Sequence, residues 1–141
     1  MKIAIIQALW NKEITDMLVK QCEDKLFESG CEILKYKVAG AVELPVMAKN
    51  VIIHKKVDAV INIGVIIKGD TDHYDFVAKQ VSYGCQKVAI ETSVPVIFGI
   101  LTTPNKELAI ARANGSHSSS GIEWAYTAIH MVNSIQSLLK R

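Results

Sequence analysis

The sequence predicts an α/β protein with a parallel sheet covered on both faces, and three observations predict it. Residues 2–8 and 59–63 are short runs that stay almost wholly apolar instead of alternating, as strands buried on both sides do. The stretch after the first run places Ile14, Met17, Leu18, Cys22 and Leu26 at a 3.6-residue period, one face of a helix. Strand and helix patterns then alternate in the order β-α-β-α-β-α-β-α-α. Right-handed crossovers turn such an order into a parallel sheet between two layers of helices.

The first strand runs from Lys2 to Ala8, and Asn11 suits the N-cap of the helix that follows, which Gly30 stops. Leu34, Tyr36 and Val38 alternate with Lys35 and Lys37, the pattern of a strand near the sheet edge. Residues 39–45 form a loop, with Pro45 placed for the first position of a helix over 46–55. The third strand covers Ala59 to Ile63. A helix over 72–90 contains Gly84, which counts against its continuity. A strand over 95–101 and a short helix over 105–113 come next. The last helix runs to Leu139; Ser120 and Glu123 have capping-box spacing, so it is expected to start at Ser120.

A chain of 141 residues suits a single domain, 1–141, with a real core. Half of it is apolar, which excludes disorder. A net charge of +2 with scattered basic residues gives no footprint for nucleic acid. Cys22, Cys31 and Cys85 are widely spaced and form neither a CxxC pair nor a zinc pattern; buried thiols in a reducing compartment are expected. The opening apolar run is too short for a signal peptide, and no run spans a bilayer, so a cytoplasmic protein is the expectation.

Chemistry concentrates in residues 64–77, GVIIKGDTDHYDFV. A strand that ends in a glycine-containing turn and opens a helix presents unpaired N–H groups, and these attract anions. His73 stands beside this turn, and histidine is suited to proton transfer near neutral pH. Ligands of parallel sheets bind beyond the carboxyl ends of the strands. There Trp10, the Glu43 loop, the His73 loop and the segment after Phe98 are expected to gather.

Each of these residues also has a plainer role. Trp10 either caps the core or offers a ring for stacking on a planar ligand. Glu43 is a solvated loop carboxylate or an acceptor for hydroxyl groups. Asp70, Asp72 and Asp75 suit the start of a helix; as a calcium loop they lack the EF-hand's glycine and terminal glutamate. Arg112 is a helix-end cation or a fork for phosphate. His54, His117 and His130 are isolated, and the run Ser118-Ser119-Ser120 reads as turn and cap chemistry.

Taken together these pieces resemble the lumazine synthases. The resemblance rests on Trp10-Asn11, GAVELP at 40–45, GVIIKGDTDHYDFV, VPVIFGILTT at 94–103 and AIARA at 109–113, in order along almost the whole chain. It implies a three-layer αβα sandwich with a four-stranded parallel flavodoxin-like sheet. It also implies pentamers, in many members gathered into icosahedral shells, and no metal or organic cofactor. The implied reaction condenses 5-amino-6-(D-ribitylamino)uracil with 3,4-dihydroxy-2-butanone 4-phosphate to 6,7-dimethyl-8-ribityllumazine in riboflavin biosynthesis. By position, Trp10 takes the place of an aromatic that stacks on the pyrimidine. Asn11, Ala41, Val42 and Glu43 line the ring and ribityl chain, and Gly69, Asp70 and Thr71 serve the phosphate. His73 transfers protons, and Phe98 and Arg112 come from the adjacent subunit.

Two features depart from the family pattern. The lysine that usually precedes the glycine opening the last helix is Ser120 here, which predicts weaker phosphate binding unless His117 compensates. The chain begins directly at its first strand, without the N-terminal extension that many shell-forming members carry, which favours a free pentamer; the uninserted turn before the last helix is the length that shell-formers use. The alternative function is a binding homologue that holds a lumazine or flavin with little or no catalysis. An archaeal-type riboflavin synthase conflicts with the complete GDTDHYDFV segment. A generic flavodoxin-like phosphate-binding domain leaves Phe98 without a role.

Overall fold

The computed structural model describes residues 1–115 and 119–140; the expectations for His117 and Ser118 lie outside them. Four strands, β1 (Lys2–Ala8), β2 (Glu32–Val38), β3 (Ala59–Ile67) and β4 (Val96–Thr103), pair in parallel in the order β2-β1-β3-β4. Helices α1 (Lys12–Glu28), α4 (Lys106–Ala113) and α5 (Ser120–Leu138) cover one face, and α2 (Leu44–Lys55) and α3 (His73–Thr92) cover the other. This is the expected αβα sandwich with a flavodoxin-like strand order.

The unbroken apolar runs follow from this layering. Ile3 and Ile5 of β1 pack under α1 and α5 with Leu18, Cys22 and Ala125. Ala4 and Ile6, one residue out of phase, pack under α2 and α3 with Ala48, Val81 and Cys85. Each large side chain so buried contributes about 1.5–3 kcal/mol. β2 is an outer strand, and its exposed Glu32, Lys35 and Lys37 discourage further strand pairing there. No helix among the described residues is long and apolar enough to cross a membrane.

Several details of the elements differ from the sequence expectation for physical reasons. β3 does not stop at Ile63; it continues to Ile67 because residues 64–67 pair with 100–103 of β4. β4 runs on to Thr103, two residues past the expected Leu101, because its end pairs with the extended end of β3; Phe98, opposite Asn62, lies in its first half. α3 passes through Gly84 unbroken; a Cβ there would lie 2.8 Å from Pro45 Cγ in the first turn of α2, so the glycine serves close helix contact. α5 does begin at Ser120, but its N-cap is Ser119, whose carbonyl accepts the N–H groups of Ile122 and Glu123. The N-cap therefore lies one residue before the expected Ser120, and the Ser119 side chain makes no capping bond.

Candidate active site

At the carboxyl edge of the sheet, α1 leaves β1 toward one face while the chain after β3 enters α3 on the other. The crevice between these two departures is the usual ligand position in such folds. A cleft of about 480 Å³ occupies it, a size suited to small molecules.

Asn11 fastens the crevice. Its backbone is left-handed (φ 59°, ψ 45°), a conformation asparagine tolerates better than most residues. Its Nδ2 donates to the carbonyl of Val65 at 3.3 Å, tying the end of β1 to β3. Asn11 does sit at the N-cap of α1, yet its side chain makes this cross-strand bond instead of a capping bond. Beside it Trp10 is 73% exposed, which rules out the core-cap reading and leaves the ring on the cleft wall.

The adjoining wall is the single 3-10 turn Ala41–Glu43 that precedes α2. The Gly40 N–H donates to Glu43 Oε1 at 3.0 Å, so the carboxylate is held by its own turn. A Cβ at Gly40 would lie 3.3 Å from that oxygen and 3.4 Å from Trp10 Cδ1, so the absent side chain leaves room for both.

The floor and third wall come from β3 and the start of α3. Val65, Ile66 and Ile67 supply apolar lining, and Gly69, Thr71, His73, Tyr74 and Val77 complete it. Thr71 Oγ1 accepts the His73 N–H at 3.3 Å, satisfying one of the amides left unpaired at the start of the helix. A Cβ at Gly69 would meet nothing within 4 Å, so the chain's own packing does not require glycine there.

Eight of the residues singled out in the sequence therefore share one cleft: Trp10, Asn11, Ala41, Val42, Glu43, Gly69, Thr71 and His73. Asp70 is exposed and outside the lining, although both its neighbours belong to it. Phe98 and Arg112 are also outside it. Phe98 is 38% exposed on the outer strand β4, and Arg112 is half-buried in the last turn of α4. Tyr74 was missed: an aromatic one residue inside a helix reads as core, and only its position next to His73 hinted otherwise. Among the described residues no three His, Cys, Asp or Glu side chains come together as metal ligands would.

The fold and the crevice define a flavodoxin-like α/β protein with a cleft of small-molecule size where strand β3 passes into helix α3. Comparison with known proteins narrows the class. The family model for 6,7-dimethyl-8-ribityllumazine synthase matches residues 1–136. A protein of that name from Coxiella burnetii is 41% identical over 140 residues, covering 97% of this chain and 93% of the relative. Namesakes from Desulfotalea psychrophila (41% identical; 97% of this chain, 90% of the relative) and Corynebacterium kroppenstedtii (37% identical; 98% and 87%) match similarly. The chain belongs to the 6,7-dimethyl-8-ribityllumazine synthase family.

Proposed function

We propose that this chain is a transferase of riboflavin biosynthesis that condenses 5-amino-6-(D-ribitylamino)uracil with 3,4-dihydroxy-2-butanone 4-phosphate, releasing phosphate and water. The observation that carries the reading is the convergence of Trp10, Glu43, Gly69, Thr71 and His73, from three separate stretches of sequence, on one cleft. The pyrimidine stacks on the exposed Trp10 ring. The ribityl hydroxyls donate to Glu43. The phosphate sits at the start of α3, where Gly69, Thr71 and the helix dipole favour an anion.

Amine and ketone condense, phosphate leaves by elimination, and the ring closes with loss of water. Each step moves a proton, and His73 is the group at hand to move it. No step asks the protein for a nucleophile. The acceleration comes from holding two reactants in register and from stabilising charge on the departing phosphate.

The site is completed by a neighbouring subunit that contributes Phe98 and Arg112, and the assembly is a homopentamer. Support for a partner comes from apolar side chains left in the open. Phe76, Tyr83 and Ile90 recur every seven residues along α3, each about 70% exposed. A stripe of that kind on a helix marks a buried contact in an assembly. The enzyme works in the cytoplasm. Mixing purified protein with both substrates and following lumazine fluorescence tests the reading: product formation supports it, and ligand binding without product leaves only a binding homologue.

A further inference from the structure

Gln21, in the middle of α1, is absent from the cleft and belongs to no motif, yet it bridges two helix ends. Its Nε2 donates to the carbonyl of Ala113, the last residue of α4, at 2.6 Å. Its Oε1 accepts the N–H of Gly121, the second residue of α5, at 2.9 Å. Helix ends leave such carbonyls and amides without intrahelical partners. A carboxamide is the side chain that carries a donor and an acceptor on one carbon, so one residue serves both ends.

The neighbouring contacts leave this junction no slack. Cys22 Sγ donates to the Gly121 carbonyl at 3.1 Å. Burial pushes that thiol's pKa up to about 12, so it remains a donor throughout the physiological range. A Cβ at Gly121 would fall 2.5 Å from the Leu18 carbonyl oxygen and 2.6 Å from Gln21 Cβ, which means the first turn of α5 lies directly on α1. Arg112 immediately precedes the Ala113 carbonyl that Gln21 holds, and Ser120 immediately precedes the Gly121 amide.

We propose that Gln21 is a positioning residue for phosphate capture: by bridging Ala113 and Gly121 it fixes the end of α4 from which Arg112 reaches the neighbouring subunit's phosphate. This rests on the assignment of Arg112 to phosphate under Proposed function. Arg112 is the one cation assigned to the phosphate, because the position of the family's lysine is Ser120. Its placement therefore bears on the phosphate substrate alone, while the pyrimidine is held by the Trp10 wall.

The test measures KM for each substrate separately in Gln21→Met, which keeps the length and removes both bonds, and in Gln21→Glu, which keeps an acceptor for Gly121 and loses the donor to Ala113. Arg112→Ala is run in parallel. The expected result is a rise of about fivefold in KM for the butanone phosphate, the effect of one lost hydrogen bond, with KM for the pyrimidine unchanged. The Glu variant reports on the Ala113 bond even if the Met variant does not fold. A merely structural role would lower thermal stability and the active fraction while leaving both KM values in place, and that result overturns the proposal, as does a parallel rise in both. If Arg112→Ala fails to raise KM for the phosphate, the assignment of Arg112 falls and the inference with it. If Arg112→Ala raises it and neither Gln21 variant does, only the positioning role is lost.

Discussion

Replacing Trp10 with alanine separates a binding role from a folding role. The ring is 73% exposed, so only about a quarter of its surface, roughly 60 Å², touches its own chain. At about 25 cal/mol per Å² that contact stabilises the fold by ~1.5 kcal/mol at most, a loss of about 5 °C or less in Tm. Stacking of a nucleobase on an aromatic ring is worth ~1–3 kcal/mol, which corresponds to about 5- to 150-fold in affinity. Trp10→Ala should therefore raise KM for the pyrimidine by at least about fivefold while the protein stays folded, and Trp10→Phe should recover most of the loss. The assay is steady-state lumazine formation at saturating butanone phosphate, beside a thermal melt of each variant. A KM for the pyrimidine that stays within about twofold of wild type would refute the stacking role.

Gly69→Ala meets no atom of its own chain, so its Tm should not change; KM for the phosphate substrate should rise, because only a ligand close to the backbone needs that space. An unchanged KM removes Gly69 from the phosphate site. Gly84→Ala brings a methyl to 2.8 Å from Pro45 and should cost about 1–3 kcal/mol, visible in a denaturant titration; a neutral result would mean that α2 and α3 separate freely. Ser120→Lys should lower KM for the phosphate substrate. Ser120 is only 7% exposed, so the new side chain has to reach outward from the first turn of α5; no change, or a rise, contradicts the lost-cation argument.

Much of the fold was legible because the core is layered. Ile3, Ala4, Ile5 and Ile6 alternate between two apolar faces, so β1 shows as an uninterrupted run, and its neighbours follow from crossover geometry. Strand ends were not legible. The extension of β3 through Gly64 depends on pairing with β4, which is a property of two segments and not of one. Gly84 looked like a helix breaker because the proline it accommodates lies thirty-nine positions earlier in the chain. Local chemistry favoured Ser120 as the cap because Glu123 has the right spacing, whereas the carbonyl that accepts the first N–H groups of the helix is that of Ser119. In the site, the turn chemistry of residues 69–73 and the asparagine after β1 carried their own signals. Tyr74 and Gln21 did not: one resembles a core aromatic, the other a surface amide, until tertiary contacts reveal what each touches.

The proposed site is shared between protomers, with His73 from one and Arg112 from its neighbour. Co-expression of His73→Ala with Arg112→Ala measures this directly. With butanone phosphate well below the wild-type KM each variant alone should turn over poorly, because His73→Ala removes the proton-transfer group, worth about a hundredfold or more, and Arg112→Ala removes the cation that holds the phosphate. In randomly mixed pentamers about one seam in four pairs an intact His73 with an intact Arg112, so the mixture should recover about a quarter of wild-type activity. Mixed assemblies that remain as inactive as either parent would contradict the shared site.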